Sequence, residues 1–347
     1  MKKKECDDLS ILVLGGAGYI GSHAVYQLID NGYKVVIIDN FQTGHEEAIH
    51  SEAKFYKGDI RDKEFLRNVF QNERIDGVIH FAANSLVGES IEKPLDYFSN
   101  NVVGTQMILE VMNEFGIKNI VFSSSAAVYG EPELVPISED FSTNPTNTYG
   151  ETKLMMEKMM KWCSRAYGIK YISLRYFNVA GARCTAEIGE DHTPETHLIP
   201  LILKVALNQR EEITIFGDDY ETPDGTCIRD YIHVEDLVDA HLLALNYLSN
   251  GGESDIFNLG NNKGYSVLEV VEAVRKITNH PIPLKIGKRR TGDPSILIAS
   301  SEKAKKKLGW TIRHEDITSI ISDAWNWHKS NPNGYSDHQK RLQLKYT

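Results

Sequence analysis

Cysteine is scarce in this 347-residue sequence: Cys6, Cys163, Cys184 and Cys227 are scattered, and no two stand in C-x-x-C spacing. That argues against a disulfide framework and a cysteine zinc site, and it fits a reducing compartment. No apolar run approaches the roughly 20 residues that span a bilayer. The opening Met1-Lys-Lys-Lys-Glu-Cys-Asp-Asp lacks the apolar core of a signal peptide, so a cytoplasmic protein with no membrane partner is expected. Positive charge is also short, with 38 Lys and Arg against 48 Asp and Glu and a net charge of −10. Such a field repels nucleic acid, and an anionic small substrate would need local arginines. No metal is expected either. His192 and His197 lie near Glu190, Asp191 and Glu195, but the spacing is not H-E-x-x-H, and Pro194 opposes a helix that would align ligands; a polar loop is the expectation.

What is present is an alternation of short apolar runs with helical stretches. Ile11–Leu14 reads as a buried strand, Tyr19–Asn31 as a helix closed by Gly32, and Lys34–Ile38 as the next strand, which together make a βαβ unit. Further strands are expected at Lys54–Tyr56, Gly77–Phe81, Asn119–Ser123 and Tyr171–Leu174. The alternation predicts an α/β fold with a doubly wound, mostly parallel sheet. Residues 1–178 would form this nucleotide-binding part. Residues 179–347 would be mainly a smaller α/β substrate-binding part, with helices near 198–208, 235–248, 266–278 and 315–328. Ile213–Phe216 or Ile256–Leu259 are the segments placed to return to the main sheet, while 217–226 and 281–294 read as loops.

Gly15, Gly18 and Gly21 follow the first strand and open the first helix. Glycines there permit a tight turn, close approach of backbone to a pyrophosphate, and close helix–strand packing. Asp39 ends the second strand about 20 residues after the middle glycine, where an acid receives the adenosine ribose hydroxyls. Its charge would repel the 2′-phosphate of NADP, and no arginine follows, so NAD is the expected cofactor. Asp59-Ile60, after the third strand, could contact the adenine or simply cap a turn.

Tyr149 and Lys153 stand four apart, on one face if the segment is helical. An ammonium beside a phenol favours the phenolate, and a phenolate accepts a proton from an alcohol. The pair points to redox chemistry at a hydroxyl-bearing carbon.

These residues, with Asn40, His80-Phe-Ala82, Gly88-Glu-Ser90, Ser123 to Gly130, Arg175-Tyr-Phe-Asn178, Arg229 to Val234 and Arg290-Thr-Gly-Asp293, resemble the extended short-chain dehydrogenase/reductases, and among them the nucleotide-sugar 4-epimerases, over nearly the whole chain. The resemblance implies a Rossmann fold, NAD held through turnover, and reversible C4 epimerisation of UDP-glucose and UDP-galactose. It makes Tyr149 the base, Lys153 its partner and the holder of the nicotinamide ribose, and Ser125 a hydrogen-bond partner of the reacting sugar oxygen. It adds Tyr19, Ile20, Asn40, Phe81, Ala82, Asn100, Ser123 and Tyr176 to the cofactor site. It assigns Asn178, His197, Leu198, Phe216, Arg229, Arg290 and Asp293 to the UDP-sugar. It also implies a homodimer, pairing the helix around Val102–Phe115 with the one carrying Tyr149, whose Met155, Met156, Met159, Met160 and Trp162 give it wide apolar coverage.

One position departs from that pattern: Asn84-Ser85 stands where many such epimerases carry a cofactor-holding lysine. The related dehydratases carry an acid pair after the position of Ser125. Ala126-Ala127 can neither remove a proton nor expel water, so dehydration is disfavoured. Leu297, four after Asp293, lies where the family limits sugar size, which leaves a UDP-N-acetylhexosamine or UDP-uronate 4-epimerase as the alternative. His233, beside Ile232 and Val234, reads as a packed structural histidine, and Trp310, Trp325 and Trp327 read as core or interface.

Overall fold

The computed structural model describes residues 9–290 and 293–336; Met1 to Asp8, on which the expectation about a signal peptide falls, Thr291-Gly292 and residues 337–347 lie outside them. The strands are β1 (Ser10–Leu14), β2 (Lys34–Asp39), β3 (Lys54–Lys57), β4 (Gly77–His80), β5 (Asn119–Ser123), β6 (Lys170–Tyr176), β7 (Asn178–Ala180), β8 (Ile213–Phe216), β9 (Ile228–His233), β10 (Asp255–Leu259), β11 (Gly264–Ser266), β12 (Leu284–Gly287) and β13 (Ile296–Leu297). The helices are α1 (Tyr19–Asp30), α2 (Lys63–Asn72), α3 (Val87–Glu92), α4 (Pro94–Tyr97), α5 (Gly104–Glu114), α6 (Thr148–Tyr167), α7 (Leu198–Ala206), α8 (Val234–Ser249), α9 (Val267–Thr278), α10 (Glu302–Leu308) and α11 (Ile317–Ser330).

Seven parallel strands form the main sheet in the order β10-β6-β5-β4-β1-β2-β3. Strand alternation feeds both of its faces. Ile11 and Val13 pack in one core with Val25 and Leu28 of α1 and with α8, while Leu12 and Leu14 pack in the other with α2, α5 and α6. This is a doubly wound sheet of the expected kind, whose order turns back at β1/β4 and opens a crevice at the strands' carboxyl ends.

The later segments divide differently from one another. Strand β10 joins the edge of the main sheet beside β6, and α8 covers that sheet against α1. Strand β8 does not join it: it pairs in parallel with β12, a strand inside the 281–294 stretch that reads as loop in the sequence. Prolines on either side hid a four-residue strand whose pairing partner is 71 residues distant. A third core gathers α7, α9 and α11 around Ile213 and Tyr231. Helix α9 starts at a capping box between Ser266 and Glu269. Trp310 and Trp327 are buried in separate cores, and Trp325 is partly buried.

One buried polar network ties the site's helix to the sheet. Arg175 on β6 donates to Glu157 on α6 through Nε at 2.9 Å and Nη2 at 2.6 Å, with both side chains 4% exposed. Ser124 Oγ donates to Glu157 Oε1 at 2.5 Å, and Arg175 Nη1 donates to the Tyr129 hydroxyl at 2.9 Å. Tyr129 in turn donates to Asn258 Oδ1 on β10 at 2.7 Å. Removing one partner strands a buried charge, whereas replacing both with apolar groups does not. Arg175→Met should therefore lower the unfolding free energy by ~3–5 kcal/mol in urea, and Arg175→Met with Glu157→Leu should recover most of it; a double-variant loss equal to the sum of the two single-variant losses would mean that the pair is not coupled.

Candidate active site

The glycine turn is built by contacts that leave no room for side chains. Gly15 has φ +79°, and a Cβ there would lie 2.7 Å from the Ala82 nitrogen; a Cβ on Gly21 would lie 2.0 Å from the Gly15 oxygen. Phe81 and Ala82 both donate their backbone N–H to the Leu14 carbonyl, at 2.9 and 3.0 Å, which locks the ends of β1 and β4 together. Helix α1 begins at Gly18 with no side-chain cap and no acid in its first turn, whereas α2, α6 and α9 are capped by Asp62, Asn147 and Ser266. Its free N–H groups and positive dipole end are what a pyrophosphate requires. The residues present thus fit NAD. The Tyr19 side chain turns away from that end, its hydroxyl donating to the Gly181 carbonyl at 2.7 Å, and Ile20 packs against the core.

Asp39 ends β2 beside the turn. Its carboxylate accepts from Ala17 N at 3.0 Å and Phe41 N at 2.8 Å; burial raises its pKa, against the pull of those amides. Asn40 Oδ1 accepts from Gln42 N at 2.9 Å. Asp59 is clamped by Arg61 at 2.8 and 2.6 Å, which holds it at about 2, and Ile60 is buried below. Asn100 is buried, donating to Asn101 Oδ1 at 3.1 Å. Asn101 donates to Thr152 Oγ1 on α6 at 3.0 Å and to the Asn84 carbonyl at 3.1 Å. Asn84, the departure from the family's lysine, accepts from Gln42 Nε2 at 3.0 Å, so the loops after β2 and β4 are joined by a neutral hydrogen bond.

Helix α6 carries the redox pair. Asn147 caps it, accepting from Gly150 N at 2.9 Å. A Cβ on Gly150 would lie 2.5 Å from the Ala127 oxygen, so only glycine lets the helix settle against the turn Ala126–Tyr129. That contact sets the turn that carries Ser125 against the helix end that carries Tyr149, and Ser125 Oγ accepts from Ala127 N at 3.2 Å. Lys153 Nζ donates to the Ser123 carbonyl at 2.7 Å and stands 5.7 Å from the centroid of the Tyr149 ring. The Ser123 and Tyr176 hydroxyls are hydrogen-bonded.

The electrostatics differ from the sequence expectation. Burial pulls Lys153 down to about 7, with Glu157 opposing. Burial also raises Tyr149, and only the Ser125 hydrogen bond lowers it. The protein alone therefore does not bias Tyr149 to phenolate: near neutral pH the buried lysine is only partly charged, and desolvation outweighs it. Glu157, which the sequence reading missed, had a legible signal, since it sits one further step of four along the face of Tyr149 and Lys153.

On the far side of the crevice, Arg229 on β9 donates Nη1 to the Ile228 carbonyl at 2.8 Å and is paired with Asp293. Its neighbour Asp230 is buried and accepts from Asn261 N at 2.6 Å and Ala299 N at 3.0 Å. The exposed Arg290 guanidinium lies 4.2 Å from the centroid of the Phe216 ring. Asn178 opens β7, paired with Tyr231, and Leu198 opens α7. His197 is paired with Glu190, which outweighs burial and holds the ring protonated up to about 9. His233 is buried, caps α8 by accepting from Glu235 N at 3.0 Å, and stacks on His314 at 3.8 Å. Cys163, Cys184 and Cys227 are free thiols, and among the described residues no helix is long and apolar enough to cross a membrane.

Residues 11–260 match the model of the NAD dependent epimerase/dehydratase family, and the chain belongs to that family. It is 59% identical to a UDP-glucose 4-epimerase of Streptococcus mutans over 95% of this chain and 99% of that protein. A solved UDP-glucose 4-epimerase superposes with a TM-score of 0.93 at 63% identity, covering 94% of this chain and 99% of the other. The UDP-glucose 4-epimerase of Brucella ovis in complex with NAD gives 0.90 at 44% identity, over 92% and 98%. Within the family the chain groups with the UDP-glucose 4-epimerases: its reaction is the reversible C4 epimerisation of UDP-glucose and UDP-galactose, with NAD as cofactor.

A testable consequence follows from Lys153. With a folded pKa of about 7 against ~10.4 for a free lysine, the unfolded chain holds the extra proton between those values. Stability of the NAD-free protein should therefore rise with pH from 7 toward 10, by up to ~1.4 kcal/mol per pH unit, and the cost of burial should be fully present below 7. In urea unfolding the Lys153→Met variant should lack this slope; parallel profiles would show that Lys153 stays charged.

Proposed function

We propose that Tyr149 removes the proton from the sugar O4 and later returns it, with Ser125 donating a hydrogen bond to the same oxygen and Lys153 holding the nicotinamide ribose. The observation that carries this is the convergence of Ser125 on the Tyr149 phenol, beside the Lys153 amine and within the crevice opened by the uncapped end of α1. NAD, when bound, supplies the acceptor for the C4 hydride and a fixed positive charge. The raised Tyr149 value in the protein alone makes that charge part of the base's activation. Gly15, Gly18, Gly21, Asp39, Asn40, Asp59, Ile60, Phe81, Ala82, Asn100, Ser123 and Tyr176 form the cofactor site in this reading.

Asn178, Leu198, Phe216, Arg229, Arg290 and Asp293 hold the UDP in this reading, while His197, which the resemblance also assigns there, is engaged by Glu190. Guanidinium groups suit a diphosphate, and Asp293 keeps Arg229 oriented. Firm binding of the remote nucleotide and loose binding of the sugar let the 4-keto sugar present its other face before it is reduced. Tyr149→Phe should lower UDP-galactose conversion by ~10²–10⁴-fold while NAD remains bound, the usual worth of a positioned base. Activity near wild type would overturn the role of Tyr149.

Leu297 pairs opposite Arg229 and packs beside Tyr129 and Phe177. A half-buried leucine there narrows the sugar end, which favours plain hexoses over N-acetylated ones. UDP-galactose should turn over faster than UDP-N-acetylgalactosamine, and Leu297→Ala should narrow that ratio; a ratio unmoved by the substitution would remove Leu297 from the specificity site.

The chain forms a homodimer in this reading, through α5 and α6. Met156 and Met160 are core residues, but Met155, Trp162 and Tyr167 are exposed along a groove of about 640 Å³ that also involves Val102, Leu109 and Met159. Trp162 is 65% exposed, an apolar cost that a partner helix pair would relieve. Sedimentation at micromolar concentration should show a dimer, and Trp162→Glu should shift it to monomer; a wild-type monomer would overturn the assignment.

A further inference from the structure

The segment between β7 and α7 gathers two histidines and two glutamates at one point. Glu190, His192, Glu195 and His197 each offer one ligand atom, and all four atoms lie within 4.8 Å of one another. His192 Nδ1 is 3.2 Å from Glu190 Oε1 and 3.8 Å from Glu195 Oε2; His197 Nδ1 is 3.7 Å from Glu195 Oε1 and contacts Glu190 Oε1. A tetrahedral site with bonds of about 2.0–2.2 Å sets its ligand atoms ~3.3–3.5 Å apart. His192 Nδ1 lies near that value from both Glu190 Oε1, at 3.2 Å, and Glu195 Oε2, at 3.8 Å, and the His197–Glu190 contact would have to open.

The charges are unbalanced. The Glu190 and Glu195 side chains are 2% and 3% exposed, and among the described residues their ion pairs run only to His192 and His197, with no lysine or arginine in range. Burying two carboxylates side by side is costly unless cations compensate both. Glu195 Oε1 is also occupied by the Thr196 and His197 amides at 2.8 and 2.9 Å, which leaves Oε2 turned toward His192. His192 Nδ1 is itself a buried atom that makes no hydrogen bond, although a carboxylate oxygen stands 3.2 Å away. The two rings meet edge to face at 5.2 Å, so they do not stack on each other across the site. The frame around them is firm: Trp327 Nε1 donates to the Glu190 carbonyl at 3.2 Å, and the Tyr335 hydroxyl donates to the Gly189 carbonyl at 3.2 Å.

We propose that Glu190, His192, Glu195 and His197 bind one divalent transition-metal ion, Zn²⁺ foremost, in a closed N₂O₂ site that fixes the entry to α7. Mixed imidazole and carboxylate donors suit Zn²⁺ and its neighbours better than Ca²⁺ or Mg²⁺, and a full set of four protein ligands leaves no open position for catalysis. The site's work is structural: it anchors the loop that leads into Leu198 to the Trp327 side of the molecule. Pro194 does preclude a helix here, but the loop itself brings the ligands together.

The test uses the full-length, NAD-containing protein, stripped with a chelator and titrated with Zn²⁺ and Co²⁺. Wild type should take up a single equivalent of Zn²⁺ by elemental analysis, gain several degrees in thermal midpoint, and show with Co²⁺ the intense visible absorption of a four-coordinate site. His192→Ala and Glu195→Gln should lose all three. Failure of folded wild type to retain stoichiometric Zn²⁺, undiminished uptake by both variants, or a weak Co²⁺ spectrum would each overturn the proposal. If a variant does not fold, wild-type stoichiometry and the Co²⁺ spectrum decide. The epimerase assignment is separable, since UDP-galactose conversion is read in the same samples whether or not metal binds.

Discussion

The bidentate bond between Arg175 and Glu157 is the constraint on which the site's geometry rests. It joins the middle of α6 to β6 inside the protein, where neither charge can be left alone. One turn above Glu157 is Lys153 and one turn above that is Tyr149, so fixing Glu157 fixes the height and rotation of both. The same network reaches Ser124 and Tyr129, the two ends of the turn that presents Ser125, and Asn258 on β10. The helix that carries Tyr149 and Lys153 and the turn that carries Ser125 are thus tied to the sheet by one connected set of hydrogen bonds. Tyr149 and Lys153 are buried, and the Lys153 amine is satisfied by the Ser123 carbonyl.

That rigidity has an electrostatic consequence. The burial that positions Tyr149 and Lys153 also raises the first and lowers the second, so neither is in its reactive ionisation state by default. In the proposed mechanism, the positive charge that oxidised nicotinamide would bring offsets that burial and favours the phenolate. The rest of the molecule prepares for an anionic dinucleotide: glycines where any Cβ would collide, a helix end left uncapped, and Asp39 held by two amides against its own burial. Arg229 and Arg290 supply local positive charge in an acidic protein, the first oriented by Asp293 and the second lying over Phe216.

Much of this was legible in the sequence, for definite reasons. The βαβ start, Asp39 and the Tyr149–Lys153 spacing are local patterns whose periodicity survives into the fold, and the helices near 198, 235, 266 and 315 appear where their apolar spacing puts them. Long-range pairing was not legible. Strand β12 is four residues between prolines, and its partner β8 is far away in sequence; nothing local separates it from a loop. The partner of Arg229 was not legible either: its neighbour in sequence is Asp230, but β9 alternates, so Arg229 pairs with the distant Asp293 while Asp230 turns to Asn261 and Ala299. The phenolate argument failed at the same level: spacing places an ammonium on the right face and says nothing about its burial.

The central claim is that NAD bound by this chain is reduced and restored within one cycle at C4 of a UDP-hexose. The most direct measurement is conversion of UDP-galactose by purified protein with no added NAD, together with the nucleotide content of the same preparation. The account predicts that UDP-glucose accumulates to equilibrium over many turnovers while extracted NAD stays constant. Turnover that stops unless NAD is supplied in proportion to product would contradict it, because the enzyme would then be a net dehydrogenase.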